Sequence, residues 1–267
     1  MMRRLSILAL CLSACVLGGG ALRVHDLGAD ILGGDDPRAA DARDITFVSP
    51  ATHVQLVELY TSQGCSSCPP AESWLGNWKE NEQLWENVVP IAFHVDYWNR
   101  LGWTDPFSHS DFTRRQRRYA NVWGHPTVYT PGFVVDGHPW RGWFEGSPLP
   151  AVQDSSGVLS LHWDGESADV RFQPNPATLR PSTAHIALLT MGQPTQIAAG
   201  ENRGREMSAD FVVVDLEETG MHKQDGEWRG RVSLQAEERQ LVKAIVGWVT
   251  ARPQGTVLQA AGGWVTP

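Results

Sequence analysis

Two cysteines three positions apart, Cys65 and Cys68, are the residues of this chain whose type and spacing are best suited to chemistry. They stand in Thr61-Ser62-Gln63-Gly64-Cys65-Ser66-Ser67-Cys68-Pro69-Pro70, where a predicted strand passes into a predicted helix. At a helix N-terminus, unpaired N–H groups and the macrodipole favour a thiolate on the first sulfur. That thiolate attacks a disulfide, and the second cysteine resolves the mixed disulfide. Cys65 is therefore the expected nucleophile and Cys68 the resolving thiol. Zinc sites share the spacing, but a structural zinc wants four ligands. The chain has no second such pair, and His94, His109, His125 and His138 do not stand at H-x-x-x-H-like spacing. Neither a metal nor a cofactor is expected.

The elements that must position this pair can be read on both sides of it. His53 to Tyr60 is rich in β-branched and aromatic residues and predicts a strand. Pro69 and Pro70 suit a helix's first turn, and Trp74, Leu75, Trp78 and Trp85 extend a helical spacing over 70–86. A buried strand is expected at 88–95, a helix near 109–121, and a short strand at Phe133-Val134-Val135 stopped by the turn pair Asp136-Gly137. Beyond about residue 155 the pattern changes to short β-rich segments (158–163, 168–172, 184–191, 209–216, 229–235, 243–250 and 256–260). The expected fold class is α/β: a thioredoxin-like domain at 51–154, followed by a β-sandwich-like C-terminal domain at 155–267.

The N-terminus bears on the compartment. Arg3 and Arg4 precede the apolar run Leu5 to Leu12, the make-up of a secretory leader over 1–22. The run is too short to span a bilayer. It ends in Leu12-Ser13-Ala14-Cys15, which resembles the lipobox of bacterial lipoproteins; the resemblance implies cleavage before Cys15 and lipidation of that residue. The other reading is an ordinary leader cleaved near Gly18 to Ala21. Residues 23–50 read as a flexible tether. On either reading the protein is exported, periplasmic or lipid-anchored, and its only expected membrane contact is a lipid on Cys15. Of the four cysteines, Cys11 lies in the leader and Cys15 is lipidated or lost, which leaves Cys65 and Cys68 in a compartment where disulfides persist. So short a loop is a weak staple, which favours a chemical role. Net charge is −8 over 267 residues, and removing residues 1–14, with two arginines and no acid, makes it −10. An acidic chain without a basic patch is a poor nucleic-acid binder, and the run Arg114, Arg115, Arg117 and Arg118 reads as a solvated helix face.

Thr130-Pro131-Gly132-Phe133-Val134-Val135-Asp136-Gly137 resembles the cis-proline segment of thioredoxins and glutaredoxins. The resemblance implies that Thr130 and Pro131 face the C-x-x-C and pair with a bound peptide or thiol. Pro126, in His125-Pro126-Thr127, is a rival for that position. A wider set of strings is similar to one family: C-S-S-C-P-P-A-E, H-V-D-Y-W…L-G-W-x-D-P-F, R-R-Q-R-R-Y-A, Y-T-P…V-V-D-G and Gly200-Glu201-Asn202-Arg203-Gly204-Arg205. It is the exported thioredoxin-like family catalogued as domain of unknown function 1223, matched from about residue 53 onward. The resemblance implies a thioredoxin-like fold with an appended β region and no settled activity. Gly132 departs from it, since the family favours a polar residue there.

Other residues carry two readings each. Trp98, Trp103, Trp123, Trp140 and Trp143 are core and loop packing, or an aromatic rim around the dithiol. Asp96 ties down the long loop after the second strand, or handles protons for Cys68. Glu201 and Arg203 pair locally or tie the two domains together. Three functions compete: thiol–disulfide exchange with exported protein thiols or disulfides, a non-catalytic envelope binding module, and copper handling, for which soft thiolates and imidazoles are suited.

Overall fold

A computed structural model describes residues 44–152, 155–175, 180–234, 239–251 and 255–265. Cys11, Cys15 and the rest of the leader lie outside the described residues. In chain order the elements are β1 (Ile45–Val48), β2 (Gln55–Thr61), α1 (Pro69–Gly76), β3 (Val88–His94), α2 (Ser110–Val122), β4 (Gly132–Val135), β5 (His138–Trp140) and α3 (Gly142–Glu145). There follow β6 (Gly157–Trp163), β7 (Ser167–Pro174), β8 (Pro181–Thr190), β9 (Thr195–Gln196), β10 (Glu206–Met207), β11 (Val212–Gly220), β12 (His222–Gln224), β13 (Glu227–Ser233), β14 (Ala244–Ala251) and β15 (Thr256–Trp264).

Local sequence accounts for the elements around the dithiol. β2 is built around Leu56, Val57, Leu59 and Tyr60 and is buried at every position, Gln55 and Glu58 included. Pro69 and Pro70 open α1, where a missing N–H costs nothing. The helix is shorter than its tryptophan spacing suggests and ends at Gly76, where a Cβ would lie 2.9 Å from Asp210 Oδ2. The chain then makes a 3-10 turn at Asn77–Glu80. Between β4 and β5, Asp136 and Gly137 both take positive φ, 50° and 86°, the conformation of a two-residue hairpin turn.

The α/β architecture expected from the sequence, a thioredoxin-like domain followed by a β-sandwich-like domain, is not the one observed. Among the described residues the protein is mostly β, 45% strand and 16% helical. One eight-stranded sheet runs in the order β15-β14-β8-β11-β3-β2-β4-β5, so strands from before and after residue 154 share it. The physical reason is the edge of β3. Its partner on one side is β2, in parallel register (Tyr60 opposite Phe93), joined by α1 as a crossover. Its other side is taken by β11, with Val212 opposite Ala92 and Ala92 N–H donating to the Phe211 carbonyl at 2.8 Å. Nothing local to β3 announces a partner so distant in sequence.

A second, antiparallel sheet (β1-β6-β7-β13-β12) covers one face of the β8–β14–β15 region. Along β14, Ile245 and Val249 point into that inter-sheet core with Leu159, Leu161 and Phe172. Ala244, Val246 and Trp248 point to the other face, into the core shared with β2, β3 and the helices. This alternation is that of a strand buried on both faces. Ile45–Val48, in the stretch expected to be tether, pairs with β6.

Beneath α2 lies a buried ion cluster. Arg115, expected in a solvated run, is 4% exposed; its Nε donates to Glu58 Oε2 at 2.8 Å and its Nη2 to Oε1 at 3.2 Å. Tyr119 and Tyr60 hydroxyls donate to the same carboxylate at 2.6 and 3.0 Å. Beside it, Glu218 of β11 lies 3.1 Å from His185 Nδ1 and 3.3 Å from Arg118. The hydrogen bond from His185 holds the Glu218 carboxyl down at about 2, while burial lowers the pKa of His185.

Candidate functional site

Cys65 and Cys68 form a disulfide at the corner between β2 and α1, with Cα atoms 5.5 Å apart. Cys68 is the N-cap residue of α1, and its carbonyl accepts from the N–H groups of Ala71 and Glu72 at 2.9 and 3.1 Å. Both cysteines are 0% exposed, whereas Ser66 and Ser67 between them are exposed. The Cys65 sulfur lies 3.4 Å from Ser67 Oγ. The bridge is thus one layer of small residues beneath the surface.

Behind the corner is a polar network that the sequence did not announce. Asp105, buried, accepts from the Gln63 N–H at 2.8 Å, from Phe107 N–H at 3.0 Å and from His94 Nδ1 at 2.7 Å. Burial opposes charge on both members of this pair, but their mutual attraction wins: the His94 pKa is raised and that of Asp105 lowered. Glu72 sits one turn after Cys68, on the same helix face, and accepts from Thr61 Oγ1 at 2.6 Å. Its pKa is raised, first by burial and also by Asp105, against the pull of His94 and Thr61. A buried carboxyl with a raised pKa therefore stands one helical turn after Cys68. Its signal in the sequence was position alone, four residues after Cys68 on a proline-led helix. Asp96, the carboxylate singled out from sequence, instead accepts from the Thr113 hydroxyl of α2, whose oxygen accepts in turn from the Asp96 N–H.

Two further loops close on the C-x-x-C. Trp98 Nε1 donates to Thr130 Oγ1 at 2.8 Å, and a Cβ on Gly64 would lie 3.1 Å from Trp98 Cβ; Trp98 so links the dithiol loop to Thr130. The Thr130–Pro131 peptide is cis. Trp103 Nε1 donates to Gln63 Oε1 at 3.2 Å. Trp123, Trp140 and Trp143 pack elsewhere, on Tyr119 and Phe133. From the other side, residues of the 200–205 turn reach the loop. Asn202, 1% exposed, donates from Nδ2 to the Gln63 and Cys65 carbonyls, both at 2.9 Å. Glu201 Oε2 accepts from Ser66 N–H at 3.0 Å and Ser66 Oγ at 2.6 Å. The Arg203 N–H donates to the Gly200 carbonyl at 3.3 Å within the turn.

A groove of about 600 Å³ runs along α1 from Pro69 and Glu72 to Lys79, facing Met207 to Asp210, and a second cavity of about 310 Å³ lies over His185, Glu218 and Arg115. Cys65 and Cys68 line neither. Among the described residues no group of three or more His, Cys, Asp or Glu is arranged to hold a metal ion, and no helix is long and apolar enough to cross a membrane.

The crystal structure of protein AGR_C_4864 from Agrobacterium tumefaciens is similar at 27% identity and a TM-score of 0.57, over 79% of this chain and 94% of that one. HBP35 of Porphyromonas gingivalis is similar in fold, with a TM-score of 0.50 at 12% identity, over 79% of this chain and 75% of its own. No curated protein matches. A family model described as "protein of unknown function (DUF1223)" matches residues 56–250, most of the described structure, and the chain belongs to that family.

Proposed function

We propose that this protein exchanges thiols and disulfides with exported proteins in the cell envelope, through Cys65 and Cys68. The observation that carries the reading is the Cys65–Cys68 bridge at a strand-to-helix corner, with the buried carboxyl of Glu72, its pKa raised, one turn further on. In the reducing direction the Cys65 thiolate attacks a substrate disulfide, forming a mixed disulfide and expelling one substrate thiolate, which takes a proton. Cys68 then gives its proton to the buried carboxylate of Glu72 and attacks the Cys65 sulfur. The second substrate thiolate leaves, two electrons have passed to the substrate, and the Cys65–Cys68 bridge is restored. The oxidising direction is the same sequence in reverse. Thr130 and Pro131, linked to the dithiol loop through Trp98, are proposed to contact the bound polypeptide. Export is proposed from the leader-like residues 1–22, with Cys15 as the proposed lipid-bearing residue.

The complete burial of both cysteines favours a second reading, in which the bridge is structural and the protein binds partners without catalysis. The reduction potential separates the two. Equilibration of the mature protein in glutathione buffers is expected to give a reversible transition roughly between −120 and −270 mV. A bridge that stays closed below about −300 mV would support the structural reading instead. With Cys65→Ser, exchange activity should vanish, and retained activity would sink the first reading.

A further inference from the structure

The 200–205 turn presses a carboxylate against the residue between the two cysteines. Glu201 takes both donors of Ser66, its N–H and its hydroxyl. Its placement is fixed by its neighbour: Asn202 is buried and holds the carbonyls on either side of Gly64. Gly200 and Gly204, with φ of 78° and 83°, let the turn close tightly enough to bring the two side chains in together. Arg205, the nearest cation in sequence with a side-chain bond, donates to Asn202 Oδ1 at 3.0 Å, and among the described residues Glu201 has no ion-pair partner. The Ser66 donors hold its carboxyl below the usual range, so it is ionised throughout the pH range of a cell envelope.

We propose that Glu201 is a positioning residue that sets the reduction potential of the Cys65–Cys68 pair, holding it low by placing a fixed negative charge beside Cys65. The inference rests on the dithiol being redox-active. The disulfide carries no charge and is little affected by a neighbouring carboxylate. The Cys65 thiolate is negative, and a like charge nearby disfavours it. Glu201 also occupies the Ser66 N–H and O–H, two donors at the dithiol that would otherwise be free to support negative charge on sulfur. Both effects fall on the reduced state alone. A pair whose reduced form is stabilised is a strong oxidant; the reverse arrangement, present here, makes the pair a better reductant. The turn thus biases the direction of exchange toward reduction of substrate disulfides.

The test compares the wild-type protein with Glu201→Gln and Glu201→Asp, each equilibrated in dithiothreitol or glutathione buffers, with the Cys65 thiol pKa read from the pH dependence of alkylation. Gln keeps an oxygen acceptor for Ser66 and loses the charge. It is expected to shift the thiol–disulfide equilibrium roughly two- to fivefold toward the dithiol, lower the Cys65 pKa, and lose much of that shift at about 1 M salt. Asp keeps the charge and should stay nearer the wild-type potential. If Glu201→Gln lowers only the melting temperature and leaves potential and thiol pKa unchanged, the inference fails. It fails equally if Asp and Gln shift the potential alike. The absolute wild-type potential judges the proposed activity, and the difference between variants judges Glu201, so the two can fail separately.

Discussion

Two polar clusters lean on the central sheet and are built on opposite principles. Under α2, Glu58, Arg115, Tyr60 and Tyr119 satisfy one another side chain to side chain, on a strand and a helix already fixed by packing. At the dithiol corner, side chains grip loop backbone: Asp105 takes the Gln63 and Phe107 N–H groups, Asn202 the Gln63 and Cys65 carbonyls, and Glu201 the Ser66 N–H. The first arrangement neutralises charge inside the fold. The second fixes the conformation of a short loop with no regular structure of its own. Damage to the first should therefore be felt globally, and damage to the second locally and in redox behaviour.

The largest effect is expected from Arg115→Leu, which strands the Glu58 carboxylate in the interior. Removing one member of a buried pair costs about 3–5 kcal/mol, read as a drop in the urea midpoint, with the reduction potential of Cys65–Cys68 unmoved. A loss below about 1 kcal/mol would erase the contrast between the clusters. Asn202→Ala comes next. It takes a donor from two buried carbonyls and leaves that of Gln63 unpaired, the Cys65 carbonyl keeping the Cys68 N–H; the cost is about 1–3 kcal/mol, and amide exchange should quicken around Gln63 to Cys65 while the amides of α2 stay protected. Uniform loss of protection in both places would show that the corner is not a local device.

The smallest effect has the opposite sign. Glu72 has its pKa raised from 4.5 in the folded protein, so the fold binds that proton more tightly than the unfolded chain does. The stability this contributes is fully present below pH 4.5 and is lost as pH rises through the folded value. Glu72→Gln mimics the protonated acid and can still accept from Thr61. Above that window it should be more stable than wild type, and below pH 4.5 the advantage should disappear, as read by denaturation across the pH range. The same variant should slow the step in which Cys68 resolves the mixed disulfide. A variant less stable at neutral pH would mean that Glu72 stabilises the corner as an anion.

What could be read in the sequence was local. The strand, the C-x-x-C, the prolines and the following helix lie within about twenty residues, and their order alone places the sulfurs at a helix start. Partnerships across the chain were not legible. Glu201 and Asn202 meet their partners from 135 to 139 residues away; a long-range tie is one sequence reading of Glu201, but nothing in the sequence names Ser66 as its partner or marks Asn202. Arg115 was misjudged because the buried face of α2, Phe112, Arg115, Gln116 and Tyr119, has helical spacing but is half polar. A hydrophobic-periodicity argument sees that face only as broken. The sheet was misjudged for the same reason as the turn, since a strand's sequence does not say which distant strand will occupy its edge.

The seam between β3 and β11 has a consequence for anyone wishing to dissect the molecule. A fragment ending near residue 154 would leave β3 with a bare row of N–H and C=O groups along a wholly buried, apolar strand. Such an edge recruits other chains. The Cys65–Cys68 corner would also arrive without its clamp, because Glu201 and Asn202 would be missing with β11. Excision would therefore yield an aggregating piece rather than a working fragment, and the unit that must be inherited, expressed and purified whole is the entire sheet.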